Sequence, residues 1–316
     1  MAGAGVQPAF ALVKKPERTI TLKVQKNAPK RKFRANKAMP KEYKSFYKTV
    51  EGNEGNKCHH PTRLDTYGCG CSHDCSYCYA KSLLDFRGLW NADDPAVAPI
   101  DEIEKVVKRL PREVVRLGGM TDCYQPIERK YRNTRETIKL LNKYNIPYLI
   151  VTKSAIILDD IDLLDKNLAH IQVTITTTDD ELSKTYEKAS PPSERIKAVE
   201  ALQERGFDVS VRLSPYIPEY VDIDKINAIK CDKILIEFLR VNTFIKQWFK
   251  IDYTPYKVKR NGYEHLSLKD KKRLIEPIKF KEMTVCEDET MAYVYWKYHF
   301  NHNPEDCCNL RCKTES

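Results

Sequence analysis

The chain has 316 residues, of which 41% are hydrophobic and 31% charged, a composition typical of a globular protein. Its longest apolar runs fall far below the ~20 residues of a membrane span, and its first residues lack the pattern of a secretory signal. Eleven cysteines in such a chain indicate metal or redox chemistry in a reducing compartment. We therefore expect a cytoplasmic protein that does not bind membranes.

Positive charge is concentrated at the start of the chain. Residues 1–50 contain 13 Lys and Arg and 2 Glu, a net charge of +11, whereas the whole chain carries +10, so residues 51–316 sum to −1. We interpret residues 1–55 as a partly disordered basic arm. It could bind nucleic acid through phosphate contacts, or it could be a solvated tail that only aids solubility.

Strands and helices alternate after the arm, as in parallel α/β folds. The predicted strands cover residues 62–67, 113–117, 147–152, 170–176, 208–213 and 233–238. The predicted helices cover residues 79–86, 103–110, 135–144, 161–168, 194–205 and 223–229, with Gly206 expected to cap the fifth. Six such units predict a partial (β/α)6 barrel of the TIM type over residues 56–241, with its chemistry at the carboxyl ends of the strands. Residues 242–316 are predicted to form a C-terminal segment that covers the substrate.

A cysteine motif precedes the first predicted helix. Cys71, Cys75 and Cys78 have the spacing C-x3-C-x2-C, and three thiolates can bind three irons of a [4Fe–4S] cube while the fourth iron stays open for a ligand. A zinc ribbon would pair two C-x2-C motifs, and a ferredoxin would supply a fourth cysteine in register. The alternatives that remain are a zinc knuckle or a chance cluster of buried thiols.

Further candidates lie at the ends of the predicted strands. Gly118 and Gly119 could let the backbone approach a ligand, or could simply form a tight turn. Lys153 could bind a carboxylate or lie on the surface. Thr174, in a hydroxyl-rich strand, could bind a ribose or reflect β propensity. Arg212 could point toward the barrel mouth or form a structural ion pair.

Several segments together resemble a known enzyme family. These are the cysteine motif with Tyr77 and Tyr79, the segment Thr121-Asp-Cys-Tyr-Gln-Pro-Ile-Glu128, and Thr152-Lys153-Ser154. They resemble the radical S-adenosylmethionine (SAM) enzymes, and within them the spore photoproduct lyase group with its DNA repair photolyase-like relatives.

The resemblance implies a reaction and roles for individual residues. A [4Fe–4S] cluster would cleave SAM reductively, and a 5′-deoxyadenosyl radical would abstract hydrogen from a nucleic-acid or nucleotide substrate in a lyase-like repair or modification. The electron would come from a donor such as flavodoxin or ferredoxin. Thr121, Lys153 and Thr174 would contact SAM, and Tyr77 and Tyr79 match tyrosines that relay a hydrogen atom.

One position departs from the lyase pattern. The lyase has a hydrogen-donor cysteine immediately before the position of Thr121, where this chain has Met120. A thioether has no S–H to donate. Cys123 could replace that donor if the loop differs, or it could be a small buried hydrophobic residue.

A second group of cysteines lies in the C-terminal segment. Cys286, Cys307, Cys308 and Cys312 could hold a second iron–sulfur cluster or zinc, with further thiols available from Cys231 and the run Cys58-His59-His60. They could equally be free thiols in a reducing compartment.

Two other functions remain open from the sequence. The first is a radical SAM enzyme that acts on a peptide or small metabolite, for which the basic arm would be irrelevant. The second is a non-catalytic nucleic-acid-binding protein whose metal site is purely structural.

Overall fold

A computed structural model describes residues 41–311. Most of the predicted basic arm, residues 1–40, and Cys312 lie outside this range. None of the helices in the described range has the length and apolar character that a membrane span requires.

Within residues 41–311, twelve strands form one large and two small sheets. They are β1 (Tyr47–Thr49), β2 (Thr62–Leu64), β3 (Tyr67–Gly68), β4 (Ala96–Val97), β5 (Val115–Leu117), β6 (Tyr148–Thr152), β7 (Ala169–Ile175), β8 (Asp208–Tyr216), β9 (Lys233–Phe238), β10 (Val258–Arg260), β11 (Tyr263–His265) and β12 (Glu282–Val285). The large sheet has the order β1-β2-β5-β6-β7-β8-β9-β12, while β3 pairs with β4 and β10 with β11.

Seven neighbouring strands of the large sheet, β2 to β12 in that order, are parallel, and β1 runs antiparallel to β2. Within the described residues the edge strands β1 and β12 do not pair with each other, so the barrel is open. The predicted α/β partial barrel is confirmed. The six predicted strands are joined by a seventh, β12, so the sheet extends past the predicted boundary at residue 241.

The helices occupy most of the connections between the strands. They are α1 (Gly52–Gly55), α2 (Tyr79–Leu84), α3 (Ile100–Val107), α4 (Glu128–Tyr131), α5 (Asn133–Lys143), α6 (Asp180–Ser183), α7 (Pro192–Glu204), α8 (Ile223–Asn227), α9 (Thr243–Trp248), α10 (Leu268–Ile275) and α11 (Thr290–His299). α7 starts with proline, whose missing N–H is not needed there, and Gly206 follows it with φ of 79°.

One predicted helix is wrong. The connection between β6 and β7 has a 3₁₀ helix at Ala155–Asp160 and turns beyond it, not a helix over residues 161–168. The Ser154 hydroxyl accepts a bond from the Ile156 amide and starts the 3₁₀ helix earlier. The Asp165 carboxylate accepts from the Asn167 amide at 2.7 Å, a local bond that competes with helix formation.

Apolar residues on one face of the large sheet pack with helix residues into a large buried core. Ile150, Ile171, Val211 and Ile236, on four adjacent strands, are each no more than 1% exposed. All seven residues of β7, which alternate between the two faces, are also buried, as expected for parallel strands that are covered on both sides. The sheet is therefore a rigid support for the loops at its carboxyl edge.

Alanine substitution of Gly118, in the loop after β5, can be compared with that of Gly206, to show how strongly this loop is constrained. Gly118 has φ of 84°, and a Cβ there would lie 2.5 Å from the Val151 carbonyl oxygen, whereas Gly206 has φ of 79° and open space. Gly206→Ala should cost about 1 kcal/mol from the left-handed backbone alone, and Gly118→Ala at least twice that. Urea unfolding of both variants measures the difference, and equal costs would contradict the close approach.

Candidate active site

The cysteine motif lies on a tightly turned loop between β3 and α2. Cys69 and Asp74 have positive φ angles of 55° and 43°. Gly70 has φ of 159°, and a Cβ there would lie 1.8 Å from the carbonyl oxygen of Asn91. Since a side chain at residue 70 would clash with backbone, the loop path depends on glycine at this position.

Two neighbouring loops hold the cysteine loop in place. The Gln125 side-chain oxygen accepts from the amide and hydroxyl of Ser72, at 2.8 and 3.2 Å. The amide of Ser76 donates to the carbonyl of Tyr186 at 2.8 Å. These contacts fix the path of the loop that carries the thiols.

The structure brings the three thiols to one cavity at the carboxyl edge of the sheet. Cys71, Cys75 and Cys78 line it. Nearly all the other residues discussed as site candidates line it too: Tyr77, Tyr79, Gly118, Gly119, Met120, Thr121, Lys153, Thr174 and Arg212. Burial raises the pKa of Cys71 to about 12 and also raises those of Cys75 and Cys78. Because metals bind the thiolate form, loading this site would release protons.

Asp122, to which the sequence assigned no role, joins several parts of the site. Its carboxylate accepts from the Thr152 hydroxyl at 2.7 Å and the Lys153 amide at 2.6 Å, and it lies 3.2 Å from the His73 ring. Burial would raise its pKa, but contact with His73 and these hydrogen bonds lower it. Asp122 thus links the cysteine loop to the end of β6.

The Gly118–Gly119 turn is fixed by a buried carboxylate. Asp65 accepts from the amides of Gly119 and Met120, at 2.7 and 3.1 Å. The Tyr79 hydroxyl donates to the Gly119 carbonyl at 2.7 Å. Tyr79 therefore connects the cysteine helix directly to this turn.

Tyr77 is anchored to a buried ion pair. Its hydroxyl donates to Glu187, which pairs with Arg195, and both charged side chains are at most 1% exposed. Burial would raise the pKa of Glu187, but Arg195 and Lys153 lower it. The Lys153 ammonium also lies 5.7 Å from the centre of the Tyr77 ring, so a positive charge stands beside the cysteine loop.

The two predicted threonines are buried at the cavity wall. The Thr121 hydroxyl donates to the Tyr67 carbonyl at 2.7 Å. The Thr174 carbonyl accepts from Arg195 at 3.1 Å. Both side chains line the cavity, so they are placed where a bound ligand could contact them.

Arg212 matches the ion-pair alternative. Its guanidinium donates to Gln172 at 2.7 Å and pairs with Glu237, which also accepts from the Ser214 hydroxyl at 2.8 Å and pairs with Arg240 at 3.3 Å. Burial would raise the pKa of Glu237, but Arg212 and Arg240 lower it to about 2.

Cys123 does not face the cavity. It is 1% exposed and packs in the main core, and its backbone carbonyl accepts from the Thr134 hydroxyl at 2.6 Å. Its burial matches the alternative of a small buried residue, and the hydrogen-donor role stays a prediction. Met120, in contrast, does line the cavity.

The second cysteine group is partly assembled in the same cavity. Cys286, Cys307 and Cys308 line it, and so does Cys58, which the sequence offered only as one of several additional thiols. Cys231 is elsewhere: its sulfur contacts the backbone carbonyls of Val209 and Lys233.

The fold and this cavity agree with a match to a protein family. The model of the Radical SAM superfamily matches residues 66–230, just over half of the chain. The chain belongs to the radical SAM superfamily. This confirms the family predicted from the motifs, whose members are enzymes that use a [4Fe–4S] cluster and SAM.

Relatives of this radical SAM enzyme match it only in part. An uncharacterized protein of Methanocaldococcus jannaschii is 29% identical over 159 residues, covering 50% of this chain and 61% of that protein. A radical SAM Nalpha-GlyT isomerase of Pseudomonas phage M6 is 25% identical over 194 residues, covering 58% and 39%. The matches thus span less than two thirds of either relative.

The fold is shared with a solved structure. Spore photoproduct lyase complexed with dinucleoside spore photoproduct superposes with a TM-score of 0.55 and 14% identity, over 77% of this chain and 79% of the lyase. At 14% identity this similarity shows only that the two proteins share a fold.

The pH dependence of stability should reveal the buried Glu237 carboxylate. Its folded-state pKa of about 2 lies below the unfolded value of about 4.3, so its contribution is complete above about pH 4.3 and is lost as the pH falls toward 2. Between pH 6 and pH 3 the wild type should lose about 2 kcal/mol more than Glu237→Gln. Urea unfolding of the metal-free protein at both pH values measures this.

The control is Glu181→Gln, which removes an exposed pair with Lys184 and should keep the wild-type pH dependence. Equal losses in the wild type and Glu237→Gln would contradict the assignment.

Proposed function

We propose that Cys71, Cys75 and Cys78 bind three irons of the [4Fe–4S] cluster and leave the fourth for SAM. The observation that carries this is the convergence of all three thiols on one cavity at the carboxyl edge of a parallel sheet. When bound, the cluster and SAM supply a 5′-deoxyadenosyl radical that abstracts hydrogen from the substrate.

The residues around the cavity have separate tasks in this proposal. The Gly118–Gly119 turn presents backbone groups to the amino group of SAM, and Asp65 keeps that turn in shape. Lys153 supplies a cation for the SAM carboxylate. Thr121 and Thr174 complete the wall on the ribose side.

Arg212 has a positioning role. Its guanidinium already binds the side chains of Gln172 and Glu237. We therefore assign Arg212 to holding the Glu237 carboxylate in place. Tyr77 and Tyr79 remain candidates for hydrogen relay because both line the cavity. The Tyr77 hydroxyl, however, is bound to Glu187, so relay through it would require that bond to break.

No cysteine of the loop after β5 lines the cavity. Its residues that line the cavity are Gly118, Gly119, Met120, Thr121 and Asp122. We therefore propose that the reaction differs from that of the lyase in the step that returns a hydrogen atom to the substrate radical. Abstraction of hydrogen from the substrate does not depend on that donor.

The proposed substrate is nucleic acid or a nucleotide. Support comes from the dinucleoside bound by the lyase of similar fold and from the +11 charge of residues 1–50, which suits phosphate contacts. A one-electron donor such as flavodoxin or ferredoxin would reduce the cluster. We extend the proposal to a second metal centre, zinc or iron–sulfur, at the C-terminal cysteines.

Replacing one cluster ligand should abolish SAM cleavage. After anaerobic loading with iron and sulfide, the wild type with dithionite and SAM should form 5′-deoxyadenosine, and Cys75→Ala should form none above background. Cys231→Ala is the matched control, because its sulfur lies outside the cavity. Continued product formation by Cys75→Ala would refute the ligand assignment.

Removing arm charges should weaken oligonucleotide binding in a salt-dependent way. In the full chain, glutamine replaces Lys30, Arg31, Lys32 and Arg34. The slope of log affinity against log salt for a single-stranded DNA oligonucleotide should become shallower by about 3, because each phosphate contact releases counterions. Fluorescence anisotropy at several salt concentrations measures it.

The control removes four exposed lysines elsewhere: Lys225, Lys230, Lys257 and Lys259. An arm variant that keeps the wild-type slope would identify the arm as a solvated tail.

A further inference from the structure

Four cysteines from three distant parts of the chain meet at one side of the cavity. Cys58 precedes β2, Cys286 directly follows β12, and Cys307 and Cys308 lie in the loop after α11. Cys286 and Cys307 pack against the small cluster that contains Cys308, the Cys307 and Cys308 sulfurs lie within 4.8 Å of each other, and Cys58 lines the same cavity. This arrangement differs from a lone buried thiol because four cysteines line one cavity.

The Asp306 side chain links two of the cysteine-bearing segments independently of their sulfur atoms. One of its oxygens accepts from the Cys308 amide at 2.9 Å, and the other accepts from the Leu310 amide and lies 3.1 Å from the His60 ring. The run that contains Cys58 is therefore tied to the Cys307–Cys308 loop.

The Asp306 carboxylate is itself near enough to compete as a ligand. One of its oxygens and the Cys307 and Cys308 sulfurs all lie within 4.8 Å of one another. Both oxygens already accept hydrogen bonds from the backbone or from His60. We therefore assign Asp306 to orienting the thiols, which leaves the four sulfurs as the donor set.

Positive charge accompanies the thiols. Arg212 interacts electrostatically with Cys286 and Cys308, and Arg116 with Cys58. Four thiolates around Zn²⁺, or around a [4Fe–4S] cube, leave a net negative charge in a buried place. The two arginines lie where they offset such a charge.

We propose that Cys58, Cys286, Cys307 and Cys308 form a complete four-thiolate metal site, separate from the Cys71, Cys75 and Cys78 site, that takes zinc or an iron–sulfur cluster. This rests on the second metal centre of the proposed function and completes its ligand set with Cys58. The site has no open position for SAM, since all four ligands come from the protein. It ties the segment before β2 to the end of the described chain.

The metal content of the loaded protein tests whether the second site exists. The full chain is loaded anaerobically with iron, sulfide and zinc together, desalted, and analysed for iron, zinc and sulfide. Beyond the roughly four irons of the first cluster, the wild type should retain about one zinc or about four more irons. Zinc and iron are thereby distinguished within one measurement.

Variants separate the two sites. Cys58→Ala and Cys308→Ala should lose the additional metal and keep the first four irons, whereas Cys75→Ala should lose the first cluster and keep the additional metal. Cys231→Ala should keep both. A wild type without additional metal, or unchanged content in Cys58→Ala and Cys308→Ala, would overturn the inference while leaving SAM cleavage as a separate test.

Alkylation of the wild type gives a readout that does not depend on variants folding. In the loaded protein the four cysteines should resist iodoacetamide and should become labelled together after chelation, as followed by peptide mass spectrometry. Labelling of any of the four at the same rate before and after chelation would exclude that residue as a ligand.

Discussion

The active site depends most on the interactions of the buried Asp122 carboxylate. This carboxylate joins the cysteine loop, through His73, to the hydroxyl of Thr152 and the amide of Lys153 at the end of β6. A carboxylate that is 8% exposed is stable there only because hydrogen bonds and charge replace its water. The same few contacts that stabilise this charge also fix the spacing between thiols and strand ends.

Much of this arrangement could be predicted from the sequence because it is local. The C-x3-C-x2-C spacing is itself a recognisable local pattern, and the residues that end β5 to β8 lie within a few positions of predicted strands. Parallel strands then bring their carboxyl ends together. The Glu187–Arg195 pair, the strand β12 and the approach of Cys58 to Cys308 depend on contacts between separate elements. Such contacts have no periodicity that marks them. The predicted helix at 161–168 was wrong because local side-chain bonds outweighed an apolar spacing.

Family membership alone would suggest that cosubstrate binding and the fate of the substrate radical go together. The loop after β5 separates these two properties. Gly118, Gly119 and Thr121, which we propose contact the cosubstrate, line the cavity together with Met120, which has no S–H group. Cys123 is buried in the core. In the proposed function, radical formation and the fate of the substrate radical therefore depend on different residues, and the second can diverge while the first is retained.

The position of β12 has a consequence for the order in which the cavity is built during translation. Six parallel strands and the cysteine loop are complete once Phe238 has been synthesised, but β12 and the loop with Cys307 and Cys308 follow much later in the chain. Until then one edge of the sheet, β9, lacks its partner. The pairing of β9 and the part of the cavity wall formed by Cys307 and Cys308 are therefore completed only after the cysteine loop and the neighbouring strand ends have been synthesised.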